Sequence, residues 1–333
     1  MRLTVDLTAA WHALVAQGTI RNTFTDAAGR KIEAGVRLGP AGPESYAIDA
    51  HSGVSVCEPA ALVRLASGME VLYNPVGGLK PHTRPSQPGR QAEMDPAPSA
   101  CPFRCQQPHD PLSILLRPSL LELACPHLRW RAFPNVAPWE PRGLLVWLPC
   151  AAETAAASLP HLPQCLAYPH LEDFLALARA GEGLATFFNS LHGGASAHHL
   201  HLQSVDCARR LAVESAARVT KGGYTFLANY PATGLVFPLD ISAAALWQPI
   251  ARAQAAGYPF NLIALSTGIY LFVRDPQREI LEEFPGRAFG AINFAGVFIT
   301  SDPEERQRVT DAAIAAAYSR LTLSDELLEK LLL

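Results

Sequence analysis

The sequence predicts an α+β protein in which helices flank an antiparallel sheet. Polar and apolar residues alternate strictly from His199 to Gln203, which predicts a strand. Apolar residues at helical spacing predict a helix over 170–180, ended by Gly181. Two apolar runs, 260–264 and 269–274, are separated by a short turn and predict an antiparallel strand pair. These segments together define the fold class.

The remaining elements follow from the same patterns. An amphipathic helix is predicted over 3–18, with Trp11, Leu14 and Val15 on its apolar side. Residues 74–99 are rich in Pro and Gly without periodicity, which predicts a linker. Further predicted elements, in chain order, are a strand-rich region 19–73, strands 128–133, 144–148 and 184–191, a helix 205–218, a strand 235–237, and helices 241–256 and 302–319. Ser324 is expected to cap a short terminal helix.

Composition indicates a soluble enzyme without a nucleic-acid partner. The length of 333 residues suits one large domain or two smaller ones. With 49% hydrophobic and 17% charged residues, the chain can bury a substantial core. The net charge of −3 argues against a general nucleic-acid binder, so an anion site must be local. No apolar run reaches the roughly 18 residues of a membrane span. Asp6 near the start argues against an export signal, and seven cysteines suit a reducing cytoplasm.

The histidine-rich segment carries the chemistry. Alternation places His199, His201 and Gln203 on one strand face and the intervening leucines on the other. Just upstream, Gly193–Ser196 has almost no side-chain bulk, so its backbone N–H groups can approach an anion closely. A metal site and purely structural histidines are the alternatives. Gln203 favours a phosphate ligand, because an amide is a poor metal ligand but a good donor to a phosphoryl oxygen.

These residues resemble the active-site signature of the histidine-triad (HIT) superfamily. The run Gly194-Ala195-Ser196, followed by His199-Leu-His201-Leu-Gln203, is similar to the branch that contains galactose-1-phosphate uridylyltransferase, diadenosine tetraphosphate phosphorylase and the GDP-sugar phosphorylases. Gln203 stands where HIT hydrolases carry a third histidine, and Asn189 fills a further position of the pattern. The resemblance extends over about 100–333.

The resemblance implies a HIT-like antiparallel sheet flanked by helices. Uridylyltransferases contain two such half-domains, so a similar pair is expected here. The predicted division is an N-terminal region 1–100, a HIT-like catalytic half 101–218 and a second α+β half 219–333.

The resemblance also implies roles for the site residues. His201 would be the nucleophile that forms a nucleotidyl intermediate, and His199 would orient it; spacing alone leaves both histidines open. Gln203, Ser196 and the N–H groups of Gly194, Ala195 and Ser196 would bind the phosphoryl oxygens. Four further residues are predicted nucleotide or phosphate ligands: Asn189, Asn135 in an Asn-x-x-Pro turn, Lys221 and Arg274.

A short cysteine pair raises the question of a metal. Cys101 and Cys105, with His109 close behind, are candidate ligands, and some uridylyltransferases bind a structural metal through cysteines and histidines. The spacing Cys-x3-Cys lacks a second pair, so structural cysteines are favoured over a structural zinc and no cofactor is expected to be required.

The predicted function is a nucleotidyltransferase or phosphorylase. Its substrate would be a nucleoside diphosphate sugar, with GDP-sugar favoured, or a dinucleoside polyphosphate, and the acceptor would be phosphate or a sugar phosphate. A HIT-type hydrolase and a non-catalytic nucleotide- or metal-binding module are the alternatives. A cytoplasmic location and a homodimer are further expectations.

Overall fold

The computed structural model describes most of the chain. The described residues are 7–26, 29–56, 60–74, 94–110, 113–135, 138–150, 159–181, 183–207, 209–284 and 288–333. Residues 3–6 of the predicted first helix and 75–93 of the predicted linker lie outside them. Within these ranges, no helix is long and apolar enough to cross a membrane.

A ten-stranded antiparallel sheet organises the protein. Its strand order is β11-β12-β13-β15-β14-β9-β10-β8-β7-β6. The first five strands in the chain are β6 (Leu121–Ala124), β7 (Arg129–Pro134), β8 (Leu144–Cys150), β9 (Leu184–Asn189) and β10 (Leu202–Asp206). The other five are β11 (Ala217–Lys221), β12 (Tyr224–Ala228), β13 (Leu235–Phe237), β14 (Phe260–Leu265) and β15 (Gly268–Val273).

The sheet consists of two halves with the same order of elements. Each half contains three strands, a helix and two more strands, with α2 (Tyr168–Ala180) before β9 and α3 (Ala243–Ala255) before β14. The halves join where β9 pairs with β14 in antiparallel register. This arrangement agrees with the predicted HIT-like fold of antiparallel sheet and flanking helices. The exact domain boundaries stay a prediction.

The two faces of the sheet carry different layers. Alternation along β10 places Leu202 on the face covered by α2 and α3, which we call the helical face. Gln203 points to the opposite face, which we call the site face, between Phe187 of β9 and Val146 of β8. The helical face also buries Trp11 of α1 (Leu7–Ala16), whose indole N–H donates to the Pro141 carbonyl at 2.8 Å.

Smaller elements complete the fold. The N-terminal region forms a three-stranded sheet, and β5 of this region pairs in parallel with β16 near the C terminus. These strands are β1 (Arg21–Thr25), β2 (Lys31–Gly39), β3 (Gly42–Asp49), β4 (Ala61–Arg64), β5 (Glu70–Tyr73) and β16 (Val297–Thr300). The remaining helices are α4 (Ala291–Phe294), α5 (Pro303–Arg308), α6 (Asp311–Leu321) and α7 (Asp325–Leu332), with short 3-10 turns at Pro98–Ala100, Ile114–Leu116 and Ala212–Ser215.

Three predicted elements are wrong in detail. The predicted helix 205–218 is the end of β10, a 3-10 turn and the start of β11. The predicted helix 302–319 is divided into α5 and α6, because Thr310 caps a new helix by accepting from Ala313 N–H. The histidine strand begins only at Leu202, so His199 and His201 lie in the loop before it. Ser324 caps α7 as predicted, by accepting from Leu327 N–H.

Candidate active site

The candidate site lies in the loop between β9 and β10. This loop runs from Ser190 to His201 and follows the sheet junction, where Asn189 of β9 stands opposite Asn261 of β14. Both asparagines lie on the site face, because they alternate with Phe188 and Leu262 of the helical core. The site is therefore built from both halves of the sheet.

The His201 imidazole has the protonation that a nucleophile needs. Its Nδ1 lies 2.7 Å from the His199 carbonyl oxygen, which can only accept, so Nδ1 carries the proton and Nε2 has the free lone pair. Burial lowers the pKa of His201 to about 4, so the ring is neutral at physiological pH. Among the described residues, Nε2 makes no hydrogen bond.

Gln164 holds the backbone of His201. Its Oε1 accepts from His201 N–H at 2.8 Å, and its Nε2 donates to the carbonyls of Asn189 at 2.7 Å and His201 at 3.3 Å. The side chain is only 2% exposed, so these bonds are shielded from water. One buried amide thus ties the end of β9 to the candidate nucleophile.

The small-residue loop is not the open anion cradle predicted from sequence. Gly194 N–H donates to the Glu279 carboxylate at 3.2 Å, and Ala195 N–H donates to the Ser190 carbonyl at 3.4 Å. The loop folds back on itself and onto the second half of the sheet, which engages both donors. Among Gly194, Ala195 and Ser196, the donors that remain for a phosphoryl oxygen are the backbone N–H and the hydroxyl of Ser196.

Gln203 and Ser196 remain available to a ligand. Ser196 is exposed and Gln203 is half-buried, and neither side chain bonds another residue in the described ranges. Nearby, two buried ring nitrogens, His198 Nδ1 and His199 Nε2, have no partner among the described residues. Buried polar atoms are rarely left unpaired without a functional reason. The Gln203 amide and the Ser196 hydroxyl therefore mark this segment as a candidate ligand-binding site.

Arg274 and Lys221 do not lie where a phosphate ligand requires. The Arg274 guanidinium is fully buried and donates to Asn261 Oδ1 and to the Phe289 and Leu321 carbonyls, so it contacts the protein alone. Lys221 lies on β11, six strands from β10, which corresponds to roughly 25–30 Å at about 4.8 Å per strand. Its ammonium pairs with Asp325 and Glu329 instead.

Asn135 lies just after the end of β7, apart from Gln203 on β10. Its N–H donates to the Leu144 carbonyl, whereas Gln203 stands level with Val146 two strands away from β7. The strand spacings give a separation of roughly 12 Å between the backbone positions of Asn135 and Gln203, so Asn135 stays a predicted nucleotide ligand that is not a neighbour of Gln203. A more distant part of a nucleotide stays within its reach.

Cysteines and histidines form a compact cluster beside the site. Cys101, Cys105, His161 and His199 each offer one ligand atom, and these atoms lie within 4.8 Å of one another. Cys101 Sγ is 3.2 Å from His199 Nδ1, and Cys105 Sγ is 3.4 Å from His161 Nδ1. A tetrahedral zinc with bonds of about 2.3 Å to sulfur and 2.0 Å to nitrogen separates its ligand atoms by about 3.5 Å. The spacing of the donors therefore fits zinc.

The electrostatics of the cluster also suit a metal. A hydrogen bond from the Cys105 thiol lowers the pKa of Cys101, and the same bond raises the pKa of Cys105. The arrangement favours a thiolate at Cys101, and a bound cation would favour deprotonation of the second thiol as well. His161 Nε2 lies 2.9 Å from the Pro96 carbonyl, the outer contact that typically orients a metal-bound histidine. The predicted third ligand, His109, is exposed and lies outside the cluster.

The cluster contacts the candidate nucleophile through His199 and Phe103. The His199 ring faces Cys101, and the His199 backbone carbonyl accepts a hydrogen bond from His201 Nδ1–H. The Phe103 ring, between the two cysteines in sequence, lies edge-on to both imidazoles, with centroid distances of 5.5 Å to His199 and 5.3 Å to His201. Any ligand of the cluster would therefore stiffen the surroundings of His201.

Comparisons with solved structures confirm the fold. Yeast Ap4A phosphorylase Apa2 matches with a TM-score of 0.52 at 11% identity, over 79% of this chain and 86% of that chain. The crystal structure of the same yeast enzyme in complex with Ap4A matches with a TM-score of 0.51 at 11% identity, over 80% and 89% of the two chains. No family model and no curated protein sequence matches the chain. At this identity the likeness establishes the HIT-like fold.

Sequence reasoning assigned no role to His161, Gln164, Asn261 and Glu279, whereas His199 was predicted as a catalytic residue with a metal site as the alternative. His161 and Gln164 were visible only as a short His-Leu-Pro-Gln run without an assigned role. Asn261 and Glu279 lie 60 or more residues after the histidines, and no local pattern connects them to the site.

Proposed function

We propose that the protein is a nucleotidyltransferase of the phosphorylase type, which cleaves a dinucleoside polyphosphate through a covalent intermediate on His201. The observation that carries the proposal is the orientation of this imidazole, with Nδ1–H bound to a carbonyl and Nε2 without a hydrogen bond to any residue that the structure describes. The HIT-like fold shared with Ap4A phosphorylase supports the substrate class. A GDP-sugar is the second candidate, because segments 258–263 and 288–299 resemble the GDP-sugar phosphorylases.

The reaction proceeds in two displacements at phosphorus. His201 Nε2 forms a bond to the α-phosphorus, and the bond to the bridging oxygen breaks with its electron pair leaving on the departing nucleotide. An oxygen of inorganic phosphate then attacks the same phosphorus. The nitrogen–phosphorus bond breaks, its electron pair returns to Nε2, and a nucleoside diphosphate is released. With Ap4A the products are ATP and ADP.

Gln203, Ser196 and Asn189 stabilise the charge that develops on the phosphoryl oxygens. The Gln203 amide and the Ser196 hydroxyl have no protein partners in the described ranges, so they can donate without breaking existing bonds. An amide cannot deliver a proton to a leaving group as a histidine can. Gln203 therefore favours transfer to phosphate over hydrolysis by water.

Intact-protein mass spectrometry tests the covalent intermediate. The protein is mixed separately with Ap4A, GDP-glucose, UDP-glucose and ADP-glucose, alongside His201→Ala and a matched control, His198→Ala. We expect a mass increase of one nucleoside monophosphate in the wild type and in the control, and none in His201→Ala. Phosphate should then release the nucleoside diphosphate. An adduct that survives His201→Ala, or hydrolysis without phosphate dependence, would contradict the proposal.

We further propose that Cys101, Cys105, His161 and His199 bind a structural zinc ion. The ion would hold the loop that carries Phe103 and the His199 backbone, and it takes part in no bond-making step. Zinc content measured by elemental mass spectrometry should be one per chain. It should fall in Cys105→Ser together with the melting temperature, while His109→Ala keeps both. A zinc-free wild type with unchanged melting would refute this site.

The thiols suit a reducing compartment, which supports a cytoplasmic location. All six described cysteines are free. A homodimer stays a prediction, to be checked by light scattering.

A further inference from the structure

The amide of Asn189 is held in one orientation. Its Oδ1 accepts from Ala291 N–H at 2.7 Å and from Asn261 Nδ2 at 2.8 Å. Because a backbone N–H can only donate, the atom facing Ala291 must be the oxygen. The NH2 group of Asn189 therefore points away from both donors.

The orientation of Asn261 is fixed in the same way from two sides. Its Nδ2 also donates to the Gly193 carbonyl at 2.5 Å, and a carbonyl can only accept. Its Oδ1 accepts from Arg274 Nη1 at 3.2 Å, and a guanidinium can only donate. A flip of the Asn261 amide would set like groups against each other at both ends.

Arg274 is the fixed origin of this series. Its side chain is fully buried, and besides Asn261 it donates to the Phe289 carbonyl at 2.7 Å and to the Leu321 carbonyl at 3.2 Å. The Glu279 carboxylate, which receives Gly194 N–H, compensates its charge nearby. The hydrogen bonds run in one direction, from Arg274 to Asn261 to Asn189.

The series ends beside the proposed nucleophile. The Asn189 carbonyl and the His201 backbone bind the same Gln164 side chain. Asn189 thus keeps a defined position relative to His201. Only the orientation of its side-chain amide depends on Asn261 and Arg274.

We propose that Arg274 and Asn261 are positioning residues that lock the Asn189 amide with its NH2 group towards the phosphoryl group bound at His201. This inference rests on the proposed function and deepens it. An unlocked amide could present its oxygen to the anionic phosphoryl group, which would repel it. A locked donor needs no reorganisation when charge develops on the phosphoryl oxygens.

We call the series of hydrogen bonds from Arg274 through Asn261 to Asn189 the relay. A double-mutant cycle tests the relay by measuring ligand binding. We would measure the dissociation constants of AMP and GMP, each against its nucleoside, by calorimetry for the wild type, Asn189→Ala, Asn261→Leu and the double variant. Asn74→Leu is the matched control, because Asn74 is also fully buried but bonds the Pro138 and Trp139 carbonyls. Melting curves verify that each variant is folded.

The relay predicts a specific pattern. Asn261→Leu should weaken monophosphate binding about 10- to 100-fold, as expected for a lost hydrogen bond to a charged group, with nucleoside binding unchanged. Asn189→Ala should lose the same factor, and the double variant should lose no more than Asn189→Ala alone. Asn74→Leu should keep the preference for the monophosphate.

Three results would overturn the relay: additive losses in the double variant, equal losses for nucleoside and monophosphate, or no monophosphate preference in the wild type. The assay does not depend on the chemical step. Intact binding with no covalent adduct would refute the proposed function alone, and adduct formation with additive losses would refute the relay alone.

Discussion

Replacement of Gln164 by leucine would free the backbone of the proposed nucleophile while nearly preserving the volume of the side chain. Gln164 makes three hydrogen bonds, to His201 N–H, the His201 carbonyl and the Asn189 carbonyl. The residue is 2% exposed, so water cannot easily take over these bonds. In Gln164→Leu, one buried donor and two buried acceptors lose this partner.

The magnitude of the effect follows from these bonds. A buried polar group left unsatisfied costs about 1–3 kcal/mol, and partial relaxation of the loop should limit the total loss of unfolding free energy to about 2–4 kcal/mol. The rate of the chemical step should also fall, although most molecules stay folded. A shift of His201 by about 1 Å relative to the phosphorus slows the chemical step by roughly 10²-fold.

The assay combines denaturant unfolding with single-turnover adduct formation followed by mass spectrometry. Gln254→Leu is the matched control, since Gln254 also donates to a backbone carbonyl, that of Leu166 at 3.1 Å, but lies on α3 on the helical face. We expect Gln164→Leu to form the adduct about 10²-fold more slowly than Gln254→Leu while still folded. Equal adduct rates in the two variants, or a loss fully explained by the unfolded fraction, would refute the reasoning.

Three further substitutions probe the scaffold around the site. Asp173→Ala should lower the unfolding free energy by about 2–4 kcal/mol, measured by urea titration, because the buried carboxylate accepts from Trp130 Nε1 at 2.9 Å and from two backbone N–H groups. Gly194→Ala should abolish monophosphate binding or folding, since a Cβ there would lie 2.5 Å from the Phe289 carbonyl oxygen at a φ of +93°; a fully active, stable variant would show that the loop has another conformation. Lys221→Met should leave kcat/KM for phosphorolysis within about twofold of the wild type, because its ion pairs are exposed and far from His201; a tenfold loss would place Lys221 back in the site.

The sequence predicted the elements with strong local periodicity. Leu171, Phe174 and Leu175 are buried on one side of α2, as the helical spacing requires. The predicted helix 205–218 instead contains the 3-10 turn Ala212–Ser215 between two strands, and the spacing of residues in such a turn is close to that of an α-helix. The Cys–His cluster was predicted only in part, because its four members come from three separate segments that tertiary packing brings together.

A comparison of equivalent strands in the two halves of the sheet explains why the second half was hard to interpret from sequence. Phe187 and Ile263 are the fourth residues of β9 and β14, and their neighbours on the next strand are Gln203 and Tyr270. Tyr270 therefore occupies in the second half the place that Gln203 has in the first. Its hairpin turn contains only two residues, 266–267, where the first half inserts the whole histidine loop 190–201.

The two halves of the sheet therefore contribute differently to the candidate site. Between β14 and β15 the second half has no loop comparable to the histidine loop. It supplies Asn261 and Glu279, which bind the Gly193 carbonyl and the Gly194 N–H of that loop, and Arg274, which donates to Asn261. Residues that hold a loop need complementary hydrogen-bonding partners, which no motif within their own segment reveals. Their role becomes visible only once β9 and β14 are paired, and for that reason Arg274 was interpreted from sequence as a phosphate ligand rather than as the anchor of the Asn189 amide.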